Sequence, residues 1–121
     1  MLLLSNDEAL TDFVVRIVKP PWRLVRRGAR YMSPDIFTQP SVRLVILDDQ
    51  AVEENDRSWL LAQIARHFSG TSLLYVAGSQ SDGNEKRARA NGAHYYASKP
   101  LSPVRFGHVL QSFLQANQIK R

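Results

Sequence analysis

Two residues of this chain stand where they can do chemistry together. Asp48 ends the apolar run Leu44-Val45-Ile46-Leu47-Asp48, and Lys99 ends a second strand-like run and is followed directly by Pro100. A carboxylate and a lysine converging from separate strand ends can form a phosphoryl-transfer site. The carboxylate attacks the phosphoryl group and holds it as an acyl phosphate. The charge on that group needs neutralising. Mg²⁺ on one or two carboxylates commonly does this, with a lysine helping as a point charge. The first strand-like run, Leu2-Leu3-Leu4, should then supply the acids for the metal, but it ends in Ser5-Asn6. The nucleophile and the lysine are present, and the acidic anchor for a metal is missing.

These groups are positioned by an alternation of strand and helix. Leu2–Leu4 reads as a short buried strand. Asn6 or Asp7 then caps a helix with Leu10, Phe13, Val14 and Ile17 on one face, stopped by Pro20-Pro21. Trp22–Arg27 reads as a second strand whose arginines suit an exposed edge. Residues 29–40 stay ambiguous; Ser33-Pro34 is a possible helix start and Gln39-Pro40 a stop. Val42–Leu47, nearly all apolar, has the character of a strand buried on both faces. A helix is expected from about Asp56 to Phe68, with Leu60, Leu61, Ile64 and Phe68 inward and Ser69-Gly70 at its end. Ser72–Val76 is the fourth strand, Asp82–Asn91 a polar helix and Ala93–Ala97 the fifth strand. The last helix has Ser102 as cap, Pro103 in its first turn, and Phe106, Val109, Leu110, Phe113 and Leu114 on its buried face. Five β-α units point to a parallel sheet with helices on both sides. Ligands of such sheets bind beyond the carboxyl ends of the strands, where Asp48, Lys99, Ala77 and Ser5-Asn6 all fall.

Composition narrows the possibilities. The 121 residues suit one domain, 1–121, which can also be part of a longer protein. With no cysteine, disulfides, thiolate metal sites and a cysteine nucleophile are excluded. No apolar run is long enough to cross a bilayer, and the first residues are too short and uncharged for a signal peptide, so a cytoplasmic protein is expected. The net charge of +5 is unevenly spread. Arg16, Lys19, Arg23, Arg26, Arg27 and Arg30 lie in a stretch without acids, and none follows Lys86. Asp48, Asp49, Glu53, Glu54 and Asp56 oppose them. That polarity favours docking to an acidic partner or weak nucleic-acid affinity; a merely solvated surface is the plain alternative.

The segments Leu44-Val45-Ile46-Leu47-Asp48, Asn91-Gly92-Ala93-His94-Tyr95-Tyr96 and Ser98-Lys99-Pro100, with their spacing, resemble the receiver domain of bacterial response regulators (CheY-like) over essentially the whole chain. The resemblance implies a flavodoxin-like, three-layer domain with five parallel strands in the order 2-1-3-4-5. It puts Asp48 at the phosphoacceptor position, Lys99 at the invariant lysine and Pro100 at a cis peptide bond. Tyr96 matches the aromatic whose rotamer reports activation. Ala77 stands where a hydroxyl residue binds the phosphoryl oxygen, and Ser5 and Asn6 replace the acidic metal-binding pair. Asp7, one residue on, would rescue a metal only if its loop shifted register.

Three functions compete. The first is a pseudo-receiver, a signalling interaction module that has lost Mg-dependent phosphorylation and in which Lys99 pairs with Asp48 as substitute cation. It would dock through the face of the family's fourth helix, fifth strand and fifth helix, here Lys86, Arg87, Arg89, His94, Tyr95, Arg105 and His108. A histidine kinase, an output domain or a second copy of the chain are the implied partners. The second is a working phosphoacceptor on Asp48, which alone would call for Mg²⁺, with Asp7 and Asp48 as its weak ligand candidates. The third is a basic nucleic-acid-binding module, ranked last because a basic surface can equally meet an acidic protein; the arginines at 23, 26, 27 and 30 also follow no recognised motif. No acid–base pair or cofactor cradle suggests an ordinary enzyme. Asp48 as a simple turn-capping residue, and Tyr95 and Tyr96 as ordinary strand aromatics, one on each face, remain the plain alternatives. His67, His94 and His108 have no metal-ligand spacing, and Gly78 and Gly83 read as isolated turn glycines.

Overall fold

A computed structural model describes residues 1–20, 22–27, 42–68, 70–79 and 82–117. Five parallel strands form the sheet: β1 (Leu2–Leu4), β2 (Val25–Arg27), β3 (Leu44–Asp48), β4 (Ser72–Ala77) and β5 (Tyr95–Ser98). Their order is β2-β1-β3-β4-β5, as expected. Four described helices accompany them: α1 (Glu8–Ile17), α2 (Glu54–His67), α3 (Asp82–Ala90) and α4 (Pro103–Ala116).

The period-2 alternation of the strands sorts the core into two layers. Leu2, Leu4, Val45, Leu47, Leu73 and Tyr75 face α2 and α3, meeting Leu60, Leu61, Ile64 and Ala88. Leu3, Leu44, Ile46, Leu74 and Val76 face α1 and α4, meeting Leu10, Val14, Phe106 and Leu110. β3 is buried along its full length, which explains its unbroken apolar sequence. Each such side chain contributes roughly 1.5–3 kcal/mol by leaving water. The sheet is therefore a stiff platform, and the polar residues at its carboxyl edge are held by it.

Helix ends follow local chemistry. Asp7 is the cap of α1, its Oδ1 accepting the Leu10 N–H at 3.1 Å. Ser102 caps α4 and Pro103 opens it. Gly70 and Gly92, with φ of 83° and 102°, close the turns after α2 and α3.

Several boundaries differ from expectation. β2 begins at Val25 rather than Trp22, and β5 at Tyr95 rather than Ala93. The Ala93 N–H is still spent on the Ala88 carbonyl of α3, so the strand cannot start there. α2 begins at Glu54, two residues before the expected start. Gly83 lies inside α3 and is not a turn glycine. The possible helix start at Ser33-Pro34 and the stop at Gln39-Pro40 lie outside the described residues, as do Pro21, Arg30 and Ser69.

Candidate functional site

β3 delivers Asp48 to the carboxyl edge, with the residue only 1% exposed. Its Oδ2 accepts two hydrogen bonds, from the Ser5 hydroxyl at 2.7 Å and the Lys99 ammonium at 2.9 Å. Its Oδ1 accepts the Gln50 N–H at 3.1 Å and so caps the 3-10 turn Asp49–Ala51. The plain capping role and the pairing with Lys99 both hold, on different oxygens of one carboxylate.

Lys99 arrives directly after β5, its N–H on the Ala77 carbonyl at 2.8 Å, and the Lys99–Pro100 peptide is cis. The ammonium donates to Asp48 Oδ2, to Asp7 Oδ2 at 2.8 Å and to Gln50 Oε1 at 2.8 Å. An ammonium has three donors, and three acceptors stand around it. Burial pulls its pKa down, but the hydrogen bonds to Asp7 and Asp48, together with their charges, outweigh burial and hold it above the ordinary value. The lysine is thus a permanent cation at the centre of the site.

The two positions after β1 behave differently. Ser5 is fully buried; its Oγ donates to Asp48 and accepts the Asp7 N–H at 3.0 Å. Asn6 is exposed. Asp7, expected to reach a metal only if its loop shifted register, is occupied in another way. One oxygen of Asp7 caps α1 while the other reaches Lys99, with the loop as it stands. The Lys99 hydrogen bond, followed by the Leu10 N–H, keeps the Asp7 carboxyl below its ordinary pKa.

Ala77 is fully buried at the end of β4 and offers only a methyl group. Tyr95 and Tyr96 lean to opposite faces of the sheet, Tyr95 toward α1 and α4, Tyr96 toward α2 and α3. Tyr96 stacks on Tyr75 with ring centroids 5.5 Å apart and planes 11° from parallel. Lys86, Arg87, Arg89, Arg105 and His108 are exposed on α3 and α4. Between these helices a cavity of about 260 Å³ is lined by Tyr95, Tyr96, Arg105 and Phe106 among others. His94 sits apart from the carboxyl edge. It precedes β5, where its Nδ1 accepts the Leu73 N–H at 3.0 Å and ends the ladder.

Two residues of the site were not singled out by sequence. By sequence, Asp49 is only a member of the acidic cluster Asp48, Asp49, Glu53, Glu54 and Asp56, but it is 2% exposed. Its carboxylate accepts the Gly78 N–H at 2.8 Å and the Tyr75 hydroxyl at 3.0 Å. Gln50 carries its amide over Lys99 and against Gly78, where a Cβ would fall 2.6 Å from Gln50 Cδ. The available signal was the pair of a tight turn after β3 and a glycine directly after β4.

No protein-family model matches the sequence, and no curated protein matches it. Solved structures do. A CheY-like response regulator receiver domain from Methanospirillum hungatei is similar with a TM-score of 0.76 at 19% identity, over 96% of this chain and 93% of its own. The chain has the CheY-like receiver fold. A receiver domain of an HD domain-containing protein from Pseudomonas fluorescens shares the receiver fold with a TM-score of 0.75 at 23% identity, over 96% and 94%. So does a putative pilus assembly-related protein from Burkholderia pseudomallei, with a TM-score of 0.74 at 18% identity, over 99% and 91%. In this receiver fold Asp48 and Lys99 meet at the carboxyl edge of the sheet, where ligands of doubly wound folds bind.

Proposed function

We propose that this chain acts in two-component signalling as a pseudo-receiver, a protein–protein interaction module that works without Mg-dependent phosphorylation of Asp48. One observation carries the proposal: the Lys99 ammonium lies 2.9 Å from Asp48 Oδ2, and the Ser5 hydroxyl fills the other approach to that oxygen at 2.7 Å. A divalent ion at Asp48 would need oxygen ligands, carboxylates first. Both Asp48 oxygens are already engaged, and Asp7 is drawn onto Lys99. Among the described residues no group of three or more His, Cys, Asp or Glu is gathered for a metal. The donor set fits an internal ammonium better than Mg²⁺.

The docking face in this proposal is that of α3, β5 and α4. Lys86, Arg87, Arg105 and His108 offer exposed basic or titratable groups on α3 and α4, and of these Arg105, together with Glu85, lines the cavity beside Tyr95 and Tyr96. Such a surface suits an acidic partner: a kinase, an output domain or a second copy of the chain. Among the described residues no helix is long and apolar enough to cross a membrane.

The experiment is treatment with beryllofluoride or acetyl phosphate in the presence of Mg²⁺, followed by mass spectrometry and NMR. The expected result is no adduct. A stable adduct on Asp48, absent in Asp48→Asn, would overturn the proposal in favour of a working phosphoacceptor. That second reading has one observation behind it: Asp7 already reaches the site and supplies a second carboxylate near Asp48. Nucleic-acid binding through the basic stretches stays in third place, and affinity that does not fall with added salt removes it.

A further inference from the structure

Asp49 is a buried carboxylate that the chemistry at Asp48 does not use. It is 2% exposed and lies in the turn directly after β3. Its Oδ1 accepts the Gly78 N–H at 2.8 Å, just beyond β4. Its Oδ2 accepts the Tyr75 hydroxyl at 3.0 Å and the Asn84 amide of α3 at 3.4 Å. Arg57 of α2 stands 4.0 Å from the same oxygen, and its Nε donates to the Asp49 carbonyl at 3.1 Å and to that of Val52 at 3.3 Å. One carboxylate thus joins the end of β3, the end of β4, α2 and α3. A buried charge is tolerated only when it is satisfied in this way, and hydrogen bonds to it are stronger than those between neutral groups.

We propose that Asp49 is a built-in anion that fixes Gly78 and α3 against the end of β3, so that the α3–β5–α4 face is presented permanently rather than switched. The chain has a methyl group at Ala77, with no hydroxyl to follow an arriving phosphoryl group. The next N–H along, that of Gly78, is taken by a carboxylate the chain carries itself. The hold extends toward the docking face through one further contact, because Tyr75 stacks on Tyr96 of β5. Burial, then the Asp49 charge and hydrogen bond, push Tyr75 well above the usual tyrosine range, in keeping with a hydroxyl locked as donor. Asp49 is a positioning residue in this scheme. The scheme rests on the pseudo-receiver reading only for what the face is used for, and the hold itself can be measured without any phosphodonor.

The test is amide hydrogen exchange by NMR on the full chain, comparing wild type with Asp49→Asn. The Gly78 amide and the α3 amides around Asn84 are expected to exchange at least about tenfold faster in the variant, since hydrogen bonds to a buried charge are lost. Amides of Val14 in α1 and Leu110 in α4 should keep their rates, and Tyr75 should ionise at lower pH. Unchanged exchange at Gly78 and α3 overturns the proposal. So does an equal acceleration everywhere, which would mean only lost global stability. If Asp49→Asn does not fold, Asn84→Ala at a half-buried position of α3 carries the test. The α3 amides should then exchange about threefold faster with Gly78 unaffected, and no change at α3 overturns the hold on that helix. An adduct at Asp48 would end the pseudo-receiver reading and leave these rates as they are, so the two failures are distinguishable.

Discussion

The Lys99 ammonium bridges two carboxylates, 2.9 Å from Asp48 Oδ2 and 2.8 Å from Asp7 Oδ2. One cation therefore ties the end of β3 to the N-cap of α1 across the carboxyl edge of the sheet. The two links differ in worth. Asp48 is 1% exposed in its side chain and Asp7 31%, so solvent screens the second pair far more than the first.

Removing the lysine should therefore be costly because of Asp48. Lys99→Met leaves a buried carboxylate with the Ser5 hydroxyl and the Gln50 N–H as its remaining partners. Denaturant unfolding should show a loss of about 3 kcal/mol, the range for breaking a buried pair from one side. Asp48→Asn combined with Lys99→Met should lose less than the two single variants summed, since neither charge is then stranded. Strict additivity would show that the pair is not coupled.

The same triad shapes the pH dependence of stability. Asp7 has a folded pKa below its ordinary 3.8, so its contribution is complete above that value and is lost as pH falls toward the folded pKa. Lys99 has a folded pKa above its ordinary 10.5, so its contribution is complete below that value and is lost as pH rises through the folded pKa. Urea midpoints measured against pH should fall on both sides of a plateau. Asp7→Asn should flatten the acid side and also weaken the alkaline side, because Asp7 is one of the two carboxylates that hold the Lys99 pKa up. Asparagine caps a helix as well as aspartate does, so α1 keeps its start and only the charge is lost.

Gly78 and Gln50 form a second testable pair. A Cβ at position 78 would meet Gln50 Cγ, Cδ and Nε2, the latter two at 2.6 and 2.7 Å. Gln50 is exposed and can swing away, which caps the cost of Gly78→Ala at about 1 kcal/mol and takes Oε1 off Lys99. In a Gln50→Ala background the same change should turn neutral or slightly stabilising, because alanine restricts the unfolded chain more than glycine. Thermal melts of the four proteins give the sign, and a cost that persists without the Gln50 side chain contradicts the packing shown.

How much of this could be read from the chain itself depends on range. β3, α4 and the burial of Leu60, Leu61 and Ile64 were legible because periodicity and caps are local signals. So was the meeting of Asp48 with Lys99, once both stood at strand ends of a parallel sheet. The arrangement of Asp7 was not legible. It needs one carboxylate to cap a helix and bind a lysine from a distant strand at once, and spacing carries no mark of that. Asp49 was hidden for the opposite reason. It sits among Asp48, Glu53, Glu54 and Asp56, and a run of acids normally means solvent. The tight turn after β3 turns it inward, onto the Gly78 N–H and the Tyr75 hydroxyl. Of the two positions that replace the acidic pair, Ser5 is buried against Asp48, whereas Asn6 is exposed.

Ser5 should be what keeps a divalent ion away. Its hydroxyl is a donor to Asp48 Oδ2 at 2.7 Å, and Ser5→Asp replaces that donor with a second carboxylate at the same place. Without metal the two charges repel in a buried setting, and the melting temperature should fall. Added Mg²⁺ should then bind between them and restore stability by mass action, by about 2.7 kcal/mol once its concentration exceeds the dissociation constant a hundredfold. Wild type should show no such response, and Asp48→Asn in the Ser5→Asp background should abolish it. Thermal melts with and without Mg²⁺, each against a chelator control, separate the cases. A wild-type protein that melts higher in Mg²⁺ means that Lys99 yields to the ion, and the internal ammonium then does not close the site.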